Sequence, residues 1–216
     1  MLPRADTVDP ETFDQLRQTV RRFVQERLVP LERQVDDVDE VPESVIADMR
    51  DLGLFGLTIP QEYGGLGLSL GQEIEIVAEL GWTSPAFRSV IGTTVGIGSQ
   101  GITIDGTERQ KRYFLPRMAT GELIGAFCLT EPDAGSDAAS LKTAAVRDGD
   151  YYRITGTKRY ITNAPRAGLF TVMARTDPAE PGARGVSAFI VDAGLPGLSI
   201  GKPDRKMGQR GALTSD

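Results

Sequence analysis

Gly125-Ala126-Phe127-Cys128-Leu129-Thr130-Glu131-Pro132-Asp133-Ala134-Gly135-Ser136-Asp137 divides this chain of 216 residues. Before it, apolar residues recur at helical spacing; after it, short apolar runs alternate with turn residues. The stretch itself starts as an apolar run and breaks into Pro, Gly, Ser and carboxylates. That pattern describes a backbone leaving a buried strand for an exposed turn, where binding residues concentrate. The expected fold is α+β: an all-α domain over residues 1–120, then a mainly antiparallel β-barrel or sandwich over residues 121–216.

Upstream, Asp9-Pro10-Glu11 reads as a capped helix start, and Phe13, Leu16, Val20, Phe23, Val24, Leu28, Leu31 and Val35 continue at helical period. Pro30 predicts a kink or break, and the charged residues between a solvated face. A short helix is expected from Pro42 to Leu52, stopped by Gly53. The Gly-rich run 53–67 is a loop that either folds back on the core or lines a site. Ser69 should cap a helix with Leu70, Ile74, Val77 and Leu80 inward; Ser84-Pro85 starts another, and Thr107 with Gln110 forms a capping box for a further one.

Gly96-Ile97-Gly98-Ser99-Gln100-Gly101 matches a dinucleotide-binding fingerprint, but that motif has meaning only between a strand and a helix. Here it extends a helix, so Gly92, Gly96, Gly98 and Gly101 need another reason: close backbone packing or room for a ligand.

Downstream, strands are expected at 123–129, 141–147, 151–155, 157–162, 169–174, 186–191 and 198–201. No helical crossover separates them, which favours antiparallel pairing.

The net charge of −6, without a basic block, argues against nucleic acid and anionic membranes as partners. No apolar run approaches the roughly 20 residues of a membrane span. One cysteine, Cys128, precludes an internal disulfide and places the protein in the cytoplasm; it reads as an inert packed thiol. The absence of histidine removes Ser-His-Asp and Cys-His mechanisms and the commonest zinc sites. Glu131, Asp133 and Asp137 beside Pro132 are weak grounds for a metal loop, and no metal is expected.

Four motifs in order, Ile59 to Gly67, Gly106 to Lys111, Leu129 to Asp137 and Lys158 to Asn163, resemble the flavin-dependent acyl-CoA dehydrogenases over nearly the whole chain. The resemblance implies a helical domain, a middle β-domain and a C-terminal four-helix domain, with FAD as cofactor in a homo-oligomer, tetramer or dimer. It implies that Phe127, Leu129 and Thr130 meet the isoalloxazine, with Tyr160, Ile161 and Thr162 beside them and Thr162 near the redox nitrogen. Gly135 and Ser136 would face the diphosphate arm, Ser136 also the acyl-CoA, and Arg184 the CoA phosphates. Tyr160 and Phe127 depart mildly from the aromatic residues usual there, and the loop's shape would be held by Glu131 and Asp137. The electron acceptor implied is an electron-transfer flavoprotein. The resemblance also implies that the chain stops inside the β-domain, so the catalytic base is expected beyond Asp216 and no residue here is assigned that role.

The same fold would serve an acyl-CoA oxidase or a flavin monooxygenase. A non-catalytic module that binds a partner through an unpaired β edge is a further alternative. Peroxide formation marks the oxidase, dependence on a flavin reductase the monooxygenase, and a monomer binding neither flavin nor CoA the module.

Overall fold

The computed structural model describes residues 8–216. Helix α1 spans Pro10–Phe23, and the Asp9 carboxylate accepts the amides of Glu11 and Thr12 at its start. The helix then loosens into a π turn at Val24–Leu28 and tightens into a 3₁₀ turn at Val29–Leu31 before resuming as α2, Glu32–Val38. Pro30 has no N–H to continue the ladder, so the break falls where the sequence places it. Helix α3, Glu43–Asp51, buries Val45, Ile46 and Met49 and stops at Gly53, whose φ of 69° is left-handed. Residues 53–67 fold back on the core: Leu54, Phe55, Leu57 and Ile59 are all fully buried.

Helix α4, Leu70–Leu80, has the Ser69–Gln72 capping box, but only part of its predicted inward face is buried: Leu80 is, and Val77 partly so. Leu70 and Ile74 are 72% and 59% exposed, while Ile76, Glu79 and Leu80 are buried. The cause lies on the neighbouring α1, where Arg21 forks onto Glu79 at 2.9 and 2.6 Å. A bidentate pair of this kind sets which side of α4 faces inward, and it buries the Glu79 end while Arg21 stays half exposed.

Helix α5 covers Pro85–Gly92, a π turn Thr93–Gly98 follows, and α6 covers Gln100–Asp105. The fingerprint glycines thus lie within a helical run, not after a strand. Helix α7, Glu108–Ala119, opens with the Thr107–Gln110 box.

Strands β1 (Gly125–Cys128), β2 (Ala144–Asp148), β3 (Tyr151–Thr155), β4 (Ile161–Thr162), β5 (Leu169–Arg175), β6 (Val186–Asp192) and β7 (Thr214–Ser215) make the second half. Pairings β2–β3, β5–β6 and β4–β7 are antiparallel. The sheet is nevertheless mixed: β1 runs parallel to β5 from Gly125↔Leu169 to Cys128↔Val172, and β2 meets the end of β5 in parallel at Ala144↔Arg175. The excursion through β2, β3 and β4 is long enough to bring the chain back parallel without a helix. Residues 198–201 form no strand, and the expected strand at 157–162 shrinks to β4 because Tyr160 has a left-handed φ of 57°.

One core gathers the helices around Leu28, Met49, Phe55 and Phe87. A second joins Leu115 and Met118 of α7 to Leu169 of β5, and a third sits under the sheet around Ala126, Cys128, Ile161 and Phe170. The segment before β7 returns to the helices instead of staying with the strands. Ala212 enters the helical core, Gly211 donates its amide to Asp39, and Arg210 bonds the carbonyl oxygens of Asp36 and Asp37.

Candidate functional site

At the end of β1 the backbone turns sharply, and Glu131 and Ala134 exchange amide–carbonyl bonds at 2.9 and 3.2 Å. The buried Glu131 carboxylate accepts from the Lys142 amide at 2.6 Å, the Thr143 amide at 2.9 Å and the Lys158 ammonium at 2.8 Å. Burial works to raise its pKa, but the Lys142 amide, the Lys158 ammonium and the Thr143 donors outweigh that and hold the carboxyl at about 2. Lys158 also donates to the Leu129 carbonyl at 3.0 Å, and the Arg159 amide to that of Thr130 at 2.8 Å. The segments 129–131 and 158–160 are thereby locked side by side. Glu131 holds the loop as expected. Asp137 contributes through its backbone carbonyl, which accepts from the amide and hydroxyl of Ser140; its carboxylate is solvent-exposed.

This lock brings Phe127, Leu129 and Thr130 beside Tyr160, Ile161 and Thr162. Tyr160 is 60% exposed, with the Arg159 guanidinium 5.1 Å from its ring centre. A left-handed bulky residue is a costly conformation, one concentrated at ligand clamps. Cys128, buried beneath, has its thiol pushed up to about 12 by burial, with Lys158 acting weakly the other way.

Asn163 is a site residue that sequence reasoning passed over. Its φ of 64° is left-handed, and its amide donates to the carbonyls of Ser89 and Val90 at 2.8 and 3.1 Å and to the Thr93 hydroxyl at 2.7 Å. It ties β4 to the end of α5. The available signal was an Asn-Ala-Pro turn just after a candidate strand.

Between these elements lies a cavity of about 380 Å³, lined among others by Arg88, Gly92, Gly96, Ile97, Thr162 and Lys206. The glycines of this run divide by role. A Cβ on Gly98 would stand 2.6 Å from the Thr93 carbonyl oxygen and 3.4 Å from Gly125 Cα, so Gly98 permits helix and β1 backbones to touch. A Cβ on Gly96 would meet nothing within 4 Å, so Gly96 leaves open space in the cavity wall.

Gly135 and Ser136 are exposed on the loop after β1. Arg184 lies on the turn Gly182–Gly185 between β5 and β6. Because β1 and β5 are parallel neighbours, both loops leave the same end of the sheet, and Arg175 binds them together through the carbonyls of Ala139 and Gly182. Arg184 itself is exposed and paired with Glu180 at 3.1 Å. Phe127, Leu129, Thr130, Tyr160, Ile161 and Thr162 thus converge, whereas Gly135, Ser136 and Arg184 occupy the sheet's rim.

The acyl-CoA dehydrogenase N-terminal domain model matches residues 10–122, and the acyl-CoA dehydrogenase middle domain model matches residues 126–216. The chain belongs to the acyl-CoA dehydrogenase family. It is 37% identical to the mitochondrial isovaleryl-CoA dehydrogenase of Pongo abelii over all of its own length and 52% of that protein. Among solved structures, it resembles a chain in that of the electron transferring flavoprotein of Acidaminococcus fermentans, at 35% identity and a TM-score of 0.90, covering 97% of this chain and 55% of that one. It also resembles a glutaryl-CoA dehydrogenase from Mycobacterium smegmatis in complex with FADH2, at 34% identity and a TM-score of 0.87, covering 96% and 52%. The chain spans between 31% and 54% of the length of the curated relatives compared with it.

The family implies FAD, and the residues present fit it. The hydroxyls of Thr130, Ser136 and Thr162 reach no hydrogen-bond partner among the described residues and are at least partly exposed. A Cβ on Gly135 would meet nothing within 4 Å, which leaves the loop backbone open to a close-lying ligand.

Proposed function

We propose that this chain binds FAD and an acyl-CoA thioester and serves the α,β-dehydrogenation of that thioester. The observation that supports this best is the convergence of the 127–130 and 160–162 segments, where the hydroxyls of Thr130 and Thr162 have no hydrogen-bond partner among the described residues. Bound there, FAD would supply the acceptor for the hydrogen leaving the β-carbon. Phe127, Leu129 and Tyr160 would pack against the flavin ring, with Ile161 backing them from the core beneath, while Thr130 and Thr162 donate to its polar edge. Gly135 and Ser136 would approach the diphosphate, with Ser136 and Arg184 reaching the acyl-CoA. Among the described residues the cavity beside Thr162 has no carboxylate in its lining, so proton abstraction is assigned to none of these residues.

The reading extends to an electron-transfer flavoprotein as acceptor, a homo-oligomeric state and a cytoplasmic location. Exposed Tyr151, Leu195 and Met207 offer apolar contacts for other subunits. Among the described residues no helix is long and apolar enough to cross a membrane.

Titration of the purified protein with FAD, read by flavin fluorescence, tests the reading. Thr130→Val and Thr162→Val should each weaken binding by about fivefold, the value of a hydrogen bond worth ~1 kcal/mol. Unchanged affinity in both variants would refute the assignment. Bleaching of the bound flavin by an acyl-CoA under anaerobic conditions then separates dehydrogenation from the alternatives.

A further inference from the structure

The three backbone carbonyls from Leu129 to Glu131 are all taken. The Lys158 ammonium donates to that of Leu129 at 3.0 Å, the Arg159 amide to that of Thr130 at 2.8 Å and the Ala134 amide to that of Glu131 at 3.2 Å. The Thr130 amide, in contrast, has no hydrogen-bond partner among the described residues, because the β1–β5 ladder has ended at Cys128. We infer that Lys158 is a positioning residue for the flavin: its hold on the Leu129 carbonyl aims the Thr130 N–H at the ring and favours the reduced ring over the oxidised one. The inference rests on reading the 127–130 and 160–162 segments as the flavin site.

The direction of the N–H follows from peptide geometry. A trans peptide is planar, with its C=O and N–H pointing in opposite directions. Lys158 holds the Leu129 carbonyl from inside the protein, since its side chain is only 10% exposed. The Thr130 N–H of the same peptide therefore points away from Lys158, and Thr130 itself is only half-buried. The next peptide cannot turn to compensate. Arg159 holds its carbonyl, and its N–H, that of Glu131, donates to the Ala134 carbonyl at 2.9 Å. The donor is thus fixed before any ligand arrives.

The charge on Lys158 needs a reason of its own. A buried ion pair can often be replaced by apolar residues of similar volume without loss of stability. Holding the loop therefore does not by itself call for an ammonium at this position. What the cation adds is polarisation: on the carbonyl oxygen it draws electron density through the peptide and makes the N–H a stronger donor. A flavin ring that takes up two electrons and one proton gains a negative charge, and a donor fixed in advance stabilises charge where it develops. The neighbouring cations are less suited to this. Arg159 is half-exposed and faces Asp216 at 3.8 Å, and Lys142 is exposed.

The midpoint potential of FAD bound to the purified, natively expressed protein, read by reducing it alongside a reference dye, tests the proposal. Lys158→Met should shift the balance towards the oxidised ring by about tenfold, which lowers the two-electron potential by ~30 mV. Glu131→Gln leaves the ammonium on Leu129 without its counter-charge and should raise the potential. Mere loosening of the loop would move both variants in the same direction. Shifts of one sign therefore overturn the proposal, as does an unchanged potential in Lys158→Met. Should Lys158→Met not fold, its combination with Glu131→Gln leaves no charge of this pair buried alone. The potential of that double variant should still lie below the wild type's, and an equal or higher value overturns the proposal. Failure of the wild type to bind FAD overturns the flavin reading itself, and this inference with it.

Discussion

Replacing Glu131 with Gln should loosen the loop that carries the candidate flavin residues, and the cost can be worked from its contacts. The Glu131 side chain is 6% exposed and its Lys158 partner 10%, so both charges are largely out of water. Lowering the carboxyl from 4.5 to about 2 on folding corresponds to ~3 kcal/mol. Glutamine retains one acceptor but leaves the Lys158 ammonium without a counter-charge, a change that typically costs several kcal/mol. We expect Glu131→Gln to lower the unfolding free energy at pH 7 by ~3 kcal/mol, measured by urea denaturation. The pH dependence carries the sign. The folded pKa lies below the unfolded one, so the stabilisation is complete above about 4.5 and fades as pH falls towards 2. Wild type and variant should therefore converge in acid. A difference under ~1 kcal/mol at pH 7, or one that persists unchanged to pH 2.5, refutes the electrostatic account of the loop.

Asn163→Ala removes three hydrogen bonds and puts a Cβ residue without a polar side chain at a left-handed φ; urea denaturation should show a loss of ~2–4 kcal/mol. Gly98→Ala should destabilise by ~1–3 kcal/mol through its clash with the Thr93 carbonyl, while Gly96→Ala, which meets open space, should be neutral or stabilising by up to ~1 kcal/mol in the same assay. The larger Gly96→Leu should fill the cavity and shift acyl-CoA binding towards shorter chains, and an unchanged chain-length profile counts against this placement of the acyl group. Cys128 should resist a thiol-alkylating reagent at pH 8 in the native protein and react quickly once unfolded, as mass spectrometry would show; fast native labelling contradicts its burial.

Much of the fold was written locally. The Asp9 cap, the stop at Gly53, the two capping boxes and the break at Pro30 each depend on a few neighbouring residues. The strand limits for 151–155, 169–174 and 186–191 came within a residue of the structure for the same reason. The failures share a different origin. Leu70 and Ile74 have a helical spacing that suits burial, but the Arg21–Glu79 fork comes from a separate helix. The strand at 157–162 is cut short by Tyr160, whose left-handed backbone is held in a segment that Lys158 and Glu131 lock from outside.

The stretch from Gly125 to Asp137 shows the same division. Its composition alone determined that a buried strand gives way to an exposed polar loop, because apolar runs and Pro-Gly-Ser turns act over a few residues. Its motif also marked Phe127, Leu129 and Thr130 by resemblance. Only the tertiary structure decided that β1 pairs in parallel with a strand 44 residues later, as Gly125↔Leu169 shows. It alone decided that Glu131 bonds Lys142 and Lys158, and that Gly92, Gly96 and Thr162 line one cavity. Contacts between residues far apart in sequence depend on how the elements pack, and no local pattern records that.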